Sequence, residues 1–305
     1  MIYRVSHETI YDYPGDVAIS YSLAHLTARD SPRQTRLKSA LEFSVNPAVT
    51  VSEVDYFGNP VTFFTIQEPH RRLSVRAENV VLVYPAPGPD PLASPPWEQV
   101  CQRFRANRDA TTVEAFQFTF ESTLVKSAPW QAEYAAPSFP PGRPLLDAVM
   151  DLTGRIHTDF TFDPSATTTG TSLPEVFALR RGVCQDFAHL EIACLRSLGL
   201  AARYVSGYLL TTPPPGQPRL TGADASHAWL SVHDPVFGWV DFDPTNNQIP
   251  SVEHIVLAWG RDFDDVSPIK GVILGGGLHA LTVAVDVVSL DEPHEARDAG
   301  GLPQT

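Results

Sequence analysis

The pattern of apolar and polar positions changes style along the chain. Over the first 85 residues the two alternate in short runs dense in β-branched and aromatic side chains. MIYRVSHETIYDY sets Tyr3, Val5 and His7 against Ile2, Arg4 and Ser6. Residues 41–45, 49–56, 61–66 and 73–84 repeat the style, separated by Asn46-Pro47, Gly58-Asn59-Pro60 and Glu68-Pro69. Alternating runs between turn signals predict an antiparallel β-sandwich over residues 1–85.

Prolines at 85, 87, 89, 91, 95 and 96 then predict a stiff, extended connection. Apolar residues at 97, 100, 101 and 104 have helical spacing, which puts Cys101 on a core face. A second proline-rich stretch, 136–144, closes this Pro-rich and helical connection over 86–139. Beyond it Leu145, Leu146, Val149, Leu152 and Ile156 form one helical stripe. Ser172-Leu173-Pro174-Glu175 has the form of a capping box opening a short helix that stops at Arg180-Arg181-Gly182. A further helix begins at Val183, with apolar positions 183, 187, 190, 194 and 198 and Gly199 as its C-terminal cap. Strands follow at 202–210, 228–233 and 239–243, and Gly275-Gly276-Gly277 precedes a last strand carrying Leu281, Val283, Val285 and Val287. Residues 140–288 thus predict an α+β core, and the acidic stretch 289–305 a flexible tail.

At 305 residues, 43% hydrophobic and 19% charged, the chain can bury one large core or two ordinary ones, which excludes global disorder. No apolar run approaches the roughly 20 residues of a membrane span. MIYRVSHETI lacks the basic-then-apolar layout of a signal peptide. The expectation is a soluble cytoplasmic protein without a membrane partner. With Lys+Arg 22 against Asp+Glu 35, the net charge of −13 makes nucleic acid a poor partner. The densest basic group, Arg29, Arg33, Arg36 and Lys38, has no interleaved aromatics and reads as a solvated face. The cysteines, Cys101, Cys184 and Cys194, are odd in number and lack CxxC spacing. A disulfide framework and a structural zinc site are therefore not expected.

The chemistry narrows to one thiol. Cys194 shares the buried stripe of Phe187, Leu190 and Leu198 and reads as core. Cys184 lies one residue off that stripe, in the first turn after Gly182, where free amides and the helix dipole favour a thiolate. Its own amide can face a developing oxyanion, and Gly182 leaves room for a substrate. A thiol also needs a base. His227 opens the run His227–His233, which the loop 234–238 turns back into 239–243. A hairpin closed there sets His227 opposite residue 244 or so. Asp243, just before Pro244, then stands beside His227 and can orient it towards Cys184, while Asp241 lies further down the hairpin. A structural role remains open for each: a strand histidine is commonly just packed, and Asp243 before proline can be a turn former. His7, His25, His189 and His233 stand in no such arrangement along the sequence and read as structural, and the scattered histidines suggest no metal group. Trp229 is either a cleft wall or sheet packing. Asp186 suits the helix dipole, with its side chain turned away from the thiol.

Arg181–Ala188 (RGVCQDFA), residues 201–209 (AARYVSGYL), Ser226-His227-Ala228-Trp229 and residues 238–245 (GWVDFDPT) resemble, in order and spacing, the transglutaminase-like core of bacterial proteins. Residues 260–277 resemble the same branch, and 55–59 (DYFGN) with 70–75 (HRRLSV) resemble its N-terminal β domain. The resemblance runs to about residue 288. It implies a papain-like α+β core with Cys184 as nucleophile, His227 as base and Asp243 as orienting acid. The implied activity is amide acyl transfer or hydrolysis through a thioester, on a peptide or protein amide and with an amine as a possible acceptor. Thiol chemistry requires no metal or organic cofactor, and no EF-hand-like loop supports calcium dependence. The alternative is a non-catalytic peptide-binding or scaffold protein with a vestigial site, whose usual mark, loss of one of these three residues, is absent.

Overall fold

The computed structural model describes residues 1–85, 87–106, 110–211 and 226–291. The early alternation becomes five strands: β1 (Ile2–Ala24), β2 (Gln34–Phe43), β3 (Val49–Val54), β4 (Pro60–Ile66) and β5 (His70–Val83). β1 is 23 residues long, and Pro14-Gly15 sits where its pairing loses register. Before that point residues 2–12 pair with β5; beyond it residues 20–24 pair with β4. One sheet, ordered β2-β5-β1-β4-β3, supplies both layers of the sandwich. Val17, Phe64 and Ile66 meet Leu73, Val75 and Phe43 in its interior. The rings of Phe43 and Phe64 lie 4.8 Å apart.

The next segment holds α1 (Trp97–Ala106), α2 (Ala110–Phe116), α3 (Pro129–Ala135) and α4 (Leu145–Asp159). Then come β6 (Thr161–Phe162), α5 (Leu173–Leu179), β7 (Arg181–Gly182) and α6 (Cys184–Ser197). The core sheet follows as β8 (Ala202–Leu209), β9 (Ser226–Asp234), β10 (Gly238–Phe242) and β11 (His254–Gly260), then the short α7 (Phe263–Val266). The sheet is antiparallel, in the order β10-β9-β8-β11. Ala228, Leu230 and Val232 of β9 join the α6 cluster, so by strand period Trp229, Ser231 and His233 face away from that helix, while His227 stands at the strand's end. Prolines predict a mere connection over 86–139; the fold makes much of it core. Val100, Cys101, Phe104, Ala115, Phe118 and Ala135 enter one cluster with Leu190 and Cys194. Their apolar spacing decides their fate, and the prolines only punctuate it.

The end of the chain departs from the expected single core over 140–288. β12 (Ile269–Gly275) and β13 (Ala280–Ser289) leave the core and pair with β1. A strand as long as β1 would otherwise expose a row of unpaired backbone groups. β13 covers part of it and buries Val285 and Val287 beside Tyr3 and Val5. The reversal uses Gly275, Gly276 and Gly277 at φ 94°, 76° and 76°. A Cβ on Gly276 would come within 2.6 Å of Val17, so glycine is needed for space as well as for conformation. Ser289 pairs with Tyr3, so the expected tail starts inside a strand, and residues 292–305 lie outside the described residues.

Tyr208, Ile255 and Leu257 of the core sheet share the cluster of Tyr3, Val5 and Val287, which joins the two layers by an apolar seam. The basic group read as a solvated face helps to close this junction. Arg29 is buried, lies over the Trp259 ring and donates to Phe57 O and Asn59 Oδ1. Arg33 donates to Pro250 O, and Arg36 to Ala28 O. Long guanidinium side chains reach backbone acceptors that a sequence pattern does not reveal. Among the described residues no helix is long and apolar enough to cross a membrane.

Candidate active site

The hairpin that carries the histidine is set by its turn. Asp234 Oδ1 accepts from Val236 N at 2.7 Å and Phe237 N at 3.0 Å, and Gly238 takes φ 73°. The ladder runs from Gly238 opposite Asp234 to Phe242 opposite Leu230. Extended, it sets His227 one residue further along the facing strand than the loop length predicts. The shift matters, because facing residues share a side of the sheet. It puts Asp243 on the side of His227 and Trp229.

Asp243 ends the strand and turns the chain. Its Oδ1 accepts from Thr245 N (3.0 Å) and Asn246 N (3.2 Å). Its Oδ2 accepts from His227 Nε2 (2.8 Å), His254 Nε2 (3.1 Å) and Asn246 Nδ2 (2.7 Å). Burial works against the charge of Asp243, but bonds from His227, His254 and Asn246 outweigh it and hold the carboxyl far below the usual carboxylate range. Asp241 instead accepts from Ser231 Oγ.

Cys184 is the first residue of α6, with Val183 as N-cap; the spacing predicts the start one residue earlier. Its thiol lies beside His227, near enough for the sulfur to help hold the imidazole's proton. Since Asp243 holds Nε2, Nδ1 is the nitrogen left for sulfur. Burial opposes a proton on His227, yet the bonds to Asp243 and Cys184, with the negative charge on both, push it up to about 10. Cys184, His227 and Asp243 therefore stand in one line of contacts, with the imidazole in the middle. Cys101 and Cys194 are both buried. Burial pushes the Cys101 thiol up to about 11 and the Cys194 thiol higher still, so neither ionises readily.

Asp186 turns its carboxylate back over Gly182, accepting from Val183 N at 2.9 Å and Thr167 Oγ1 at 2.6 Å. A Cβ on Gly182 would lie 2.6 Å from Asp186 Oδ2. Gly182 thus makes room for this cap, where the sequence suggests room for substrate. Asp186 is nearly buried and caps the helix, as its position in the first turn implies.

Trp229 is fully buried. Its ring lies 5.9 Å from that of His227 and 5.2 Å from that of His254. It is packing rather than an open cleft wall. On β8, Gly207 pairs with His227, and a Cβ there would collide with the Trp229 indole and Ile255 O. The missing side chain gives the indole its place.

Two site residues escape sequence reasoning. Asn246 follows the Asp243-Pro244-Thr245 turn, and recognising that turn as one closed by the Asp243 side chain would have pointed to it. His254 leaves no such trace, because β11 reaches the site only by pairing with β8. It also corrects the view that the histidines form no group: His227, Asp243 and His254 offer ligand atoms within 4.8 Å of one another. All three are buried, and the carboxylate is already bonded to both rings.

With this geometry in place, likeness to known proteins adds a second line. Residues 3–82 match the bacterial transglutaminase-like N-terminal region, and residues 134–244 match the transglutaminase-like superfamily. An uncharacterized protein of Mycobacterium tuberculosis is 42% identical over 300 residues, 95% of this chain and 93% of its own. A protein-glutamine gamma-glutamyltransferase of Pseudomonas aeruginosa is 33% identical over 92 residues, 30% of this chain and 14% of that protein. A crystal structure from Cytophaga hutchinsonii, described as a "putative cysteine protease", shares the fold at TM-score 0.76 and 21% identity, covering 96% of this chain and 92% of its own. Motifs, architecture and near full-length similarity agree that the chain belongs to the bacterial branch of the transglutaminase-like superfamily.

Proposed function

We propose that the protein is a cysteine acyltransferase or hydrolase acting on peptide or protein amides. The observation that carries this reading is the single line from the Cys184 thiol through His227 to the buried Asp243 carboxylate. Cys184 sulfur attacks the amide carbonyl, and the first amides of α6 face the oxyanion that forms. The C–N bond breaks as His227 gives its proton to the leaving amine, which leaves a thioester on Cys184. Water or a second amine then attacks the thioester, His227 takes the proton from it, and the thiolate is restored. Water yields hydrolysis and an amine yields transamidation. The name of the Pseudomonas aeruginosa relative favours transfer.

Iodoacetamide at about pH 6 tests the nucleophile. Fast labelling confined to Cys184, and lost in His227→Ala, is the expected result. Labelling no faster than that of a free thiol would instead support a binding module. A mass-spectrometric screen of glutamine-containing peptides, with and without a primary amine, separates hydrolysis from transfer.

His254 acts through Asp243. Replacing it with phenylalanine removes one donor to a buried carboxylate, an interaction that corresponds to roughly a 10- to 100-fold change. The expected result is a fall of that size in kcat with KM little changed, partly rescued by His254→Gln. Equal changes in kcat for both variants, tracking loss of thermal stability, would reduce His254 to packing.

A further inference from the structure

A cavity of about 560 Å³ lies between the outer face of the core sheet and the sandwich layer. Val205, Val256, Phe237, Trp239 and Trp259 give it apolar walls, and Gln34 and Val83 close it from the sandwich side. Neither Cys184 nor His227 lines it. Its most unusual group is Arg203. That side chain is 7% exposed, and its guanidinium is stacked 4.2 Å from the Trp239 ring centre and 3.7 Å from that of Trp259. Stacking satisfies the two faces of a guanidinium, whereas its N–H donors point outward in the plane. Arg203 Nε has no hydrogen-bond partner, and among the described residues no carboxylate forms an ion pair with the group. Burial pushes it down to about 9, with Asp241 only partly opposing. A buried, preorganised cation without an acceptor is costly unless something else supplies one.

We propose that this cavity binds a small organic carboxylate, whose two oxygens take the open donors of Arg203 and whose apolar body lies along the tryptophans and valines. The volume is in the range of small-molecule sites, which also favour junctions between layers. The planar fork of arginine matches a carboxylate. Asp241 shares the wall and Glu114 the rim, so a ligand with one negative charge is accepted and a polyanion is repelled. His254 belongs both to the cavity wall and to the hydrogen bonds of Asp243, so the site adjoins the catalytic line from behind.

The test uses the full chain with Cys184→Ala, so binding is read without turnover and its failure leaves the thiol chemistry unaffected. Intrinsic tryptophan fluorescence follows titration with benzoate and with its uncharged counterpart, benzamide. The expected result is saturable binding of benzoate and binding of benzamide weaker by about tenfold or more. Arg203→Met should lose benzoate by a similar factor while its melting temperature stays level or rises, since an unpaired buried charge has been removed. If that variant does not fold, Val205→Phe, which fills the cavity and keeps the charge, should block binding instead. Equal affinity for benzamide, undiminished benzoate binding in both variants, or no saturation up to roughly 10 mM benzoate would overturn the proposal.

Discussion

Asp243→Asn will lower turnover by about 10³- to 10⁴-fold, while Cys184→Ala will abolish it. The asparagine keeps the shape of the site but loses the negative charge that His227 and His254 both address. In a serine triad the corresponding change costs about 10⁴-fold, because the imidazole is left in the wrong tautomer. Here it also alters the pH dependence. Burial alone would hold His227 down, and the bonds and charges of Asp243 and Cys184 push it up to about 10. Without the carboxylate charge His227 loses its proton at lower pH, so the alkaline limb of the alkylation profile of Cys184 moves down towards neutrality. Alkylation rates against pH, beside kcat on a peptide found by the amine screen, check both effects. An unchanged alkaline limb would place Asp243 outside the proton path. Cys184→Ala has a simpler consequence, since the other two thiols are buried in the core and no second sulfur stands at the start of α6.

A second large effect concerns stability. Glu191 is wholly buried on α6 beneath the site. Thr153 Oγ1 lies 2.9 Å from Val149 O and 2.7 Å from Glu191 Oε1. One hydroxyl proton cannot serve both acceptors at once, and Glu191 Oε2 is buried without a hydrogen-bond partner, so an ionised Glu191 is poorly satisfied here. Burial, aided by the charge of Asp243 and opposed by the Thr153 bond, pushes this carboxyl from its ordinary 4.5 to about 8. Below the ordinary value both folded and unfolded chains hold the proton, and nothing is lost. Above it the unfolded chain ionises first, so stability falls as pH rises and levels off beyond the folded value. The loss reaches roughly 4 kcal/mol by pH 8. Glu191→Gln is neutral throughout and should match the wild type near pH 5 and exceed it by about that amount near pH 8 in urea unfolding. A gap between the two that does not change with pH would show that Glu191 is not the group responsible.

The division between sequence and tertiary structure follows the range of the interactions. Apolar alternation in the first 85 residues, helical spacing from Leu145 and the position of Cys184 after Gly182 depend on neighbours a few residues away, and these features are legible in the chain. So is the closeness of Asp243 to His227, because a single hairpin joins them, although the Asp234 turn shifts the register by one. The reason for Gly182 is not legible, since what fills its space is the Asp186 side chain, a detail of rotamer rather than pattern. Strands β12 and β13 return across most of the chain to pair with β1, and no local signal names a partner that distant. His254 meets Asp243, and Arg203 is enclosed by Trp239 and Trp259, only after β11 pairs with β8 and the sandwich closes over the sheet. Short-range periodicity and turn chemistry determined the elements and the closeness of Asp243 to His227, whereas the cost of leaving strand edges unpaired and apolar faces exposed decided which distant groups, Cys184 and His254 among them, came to surround that pair.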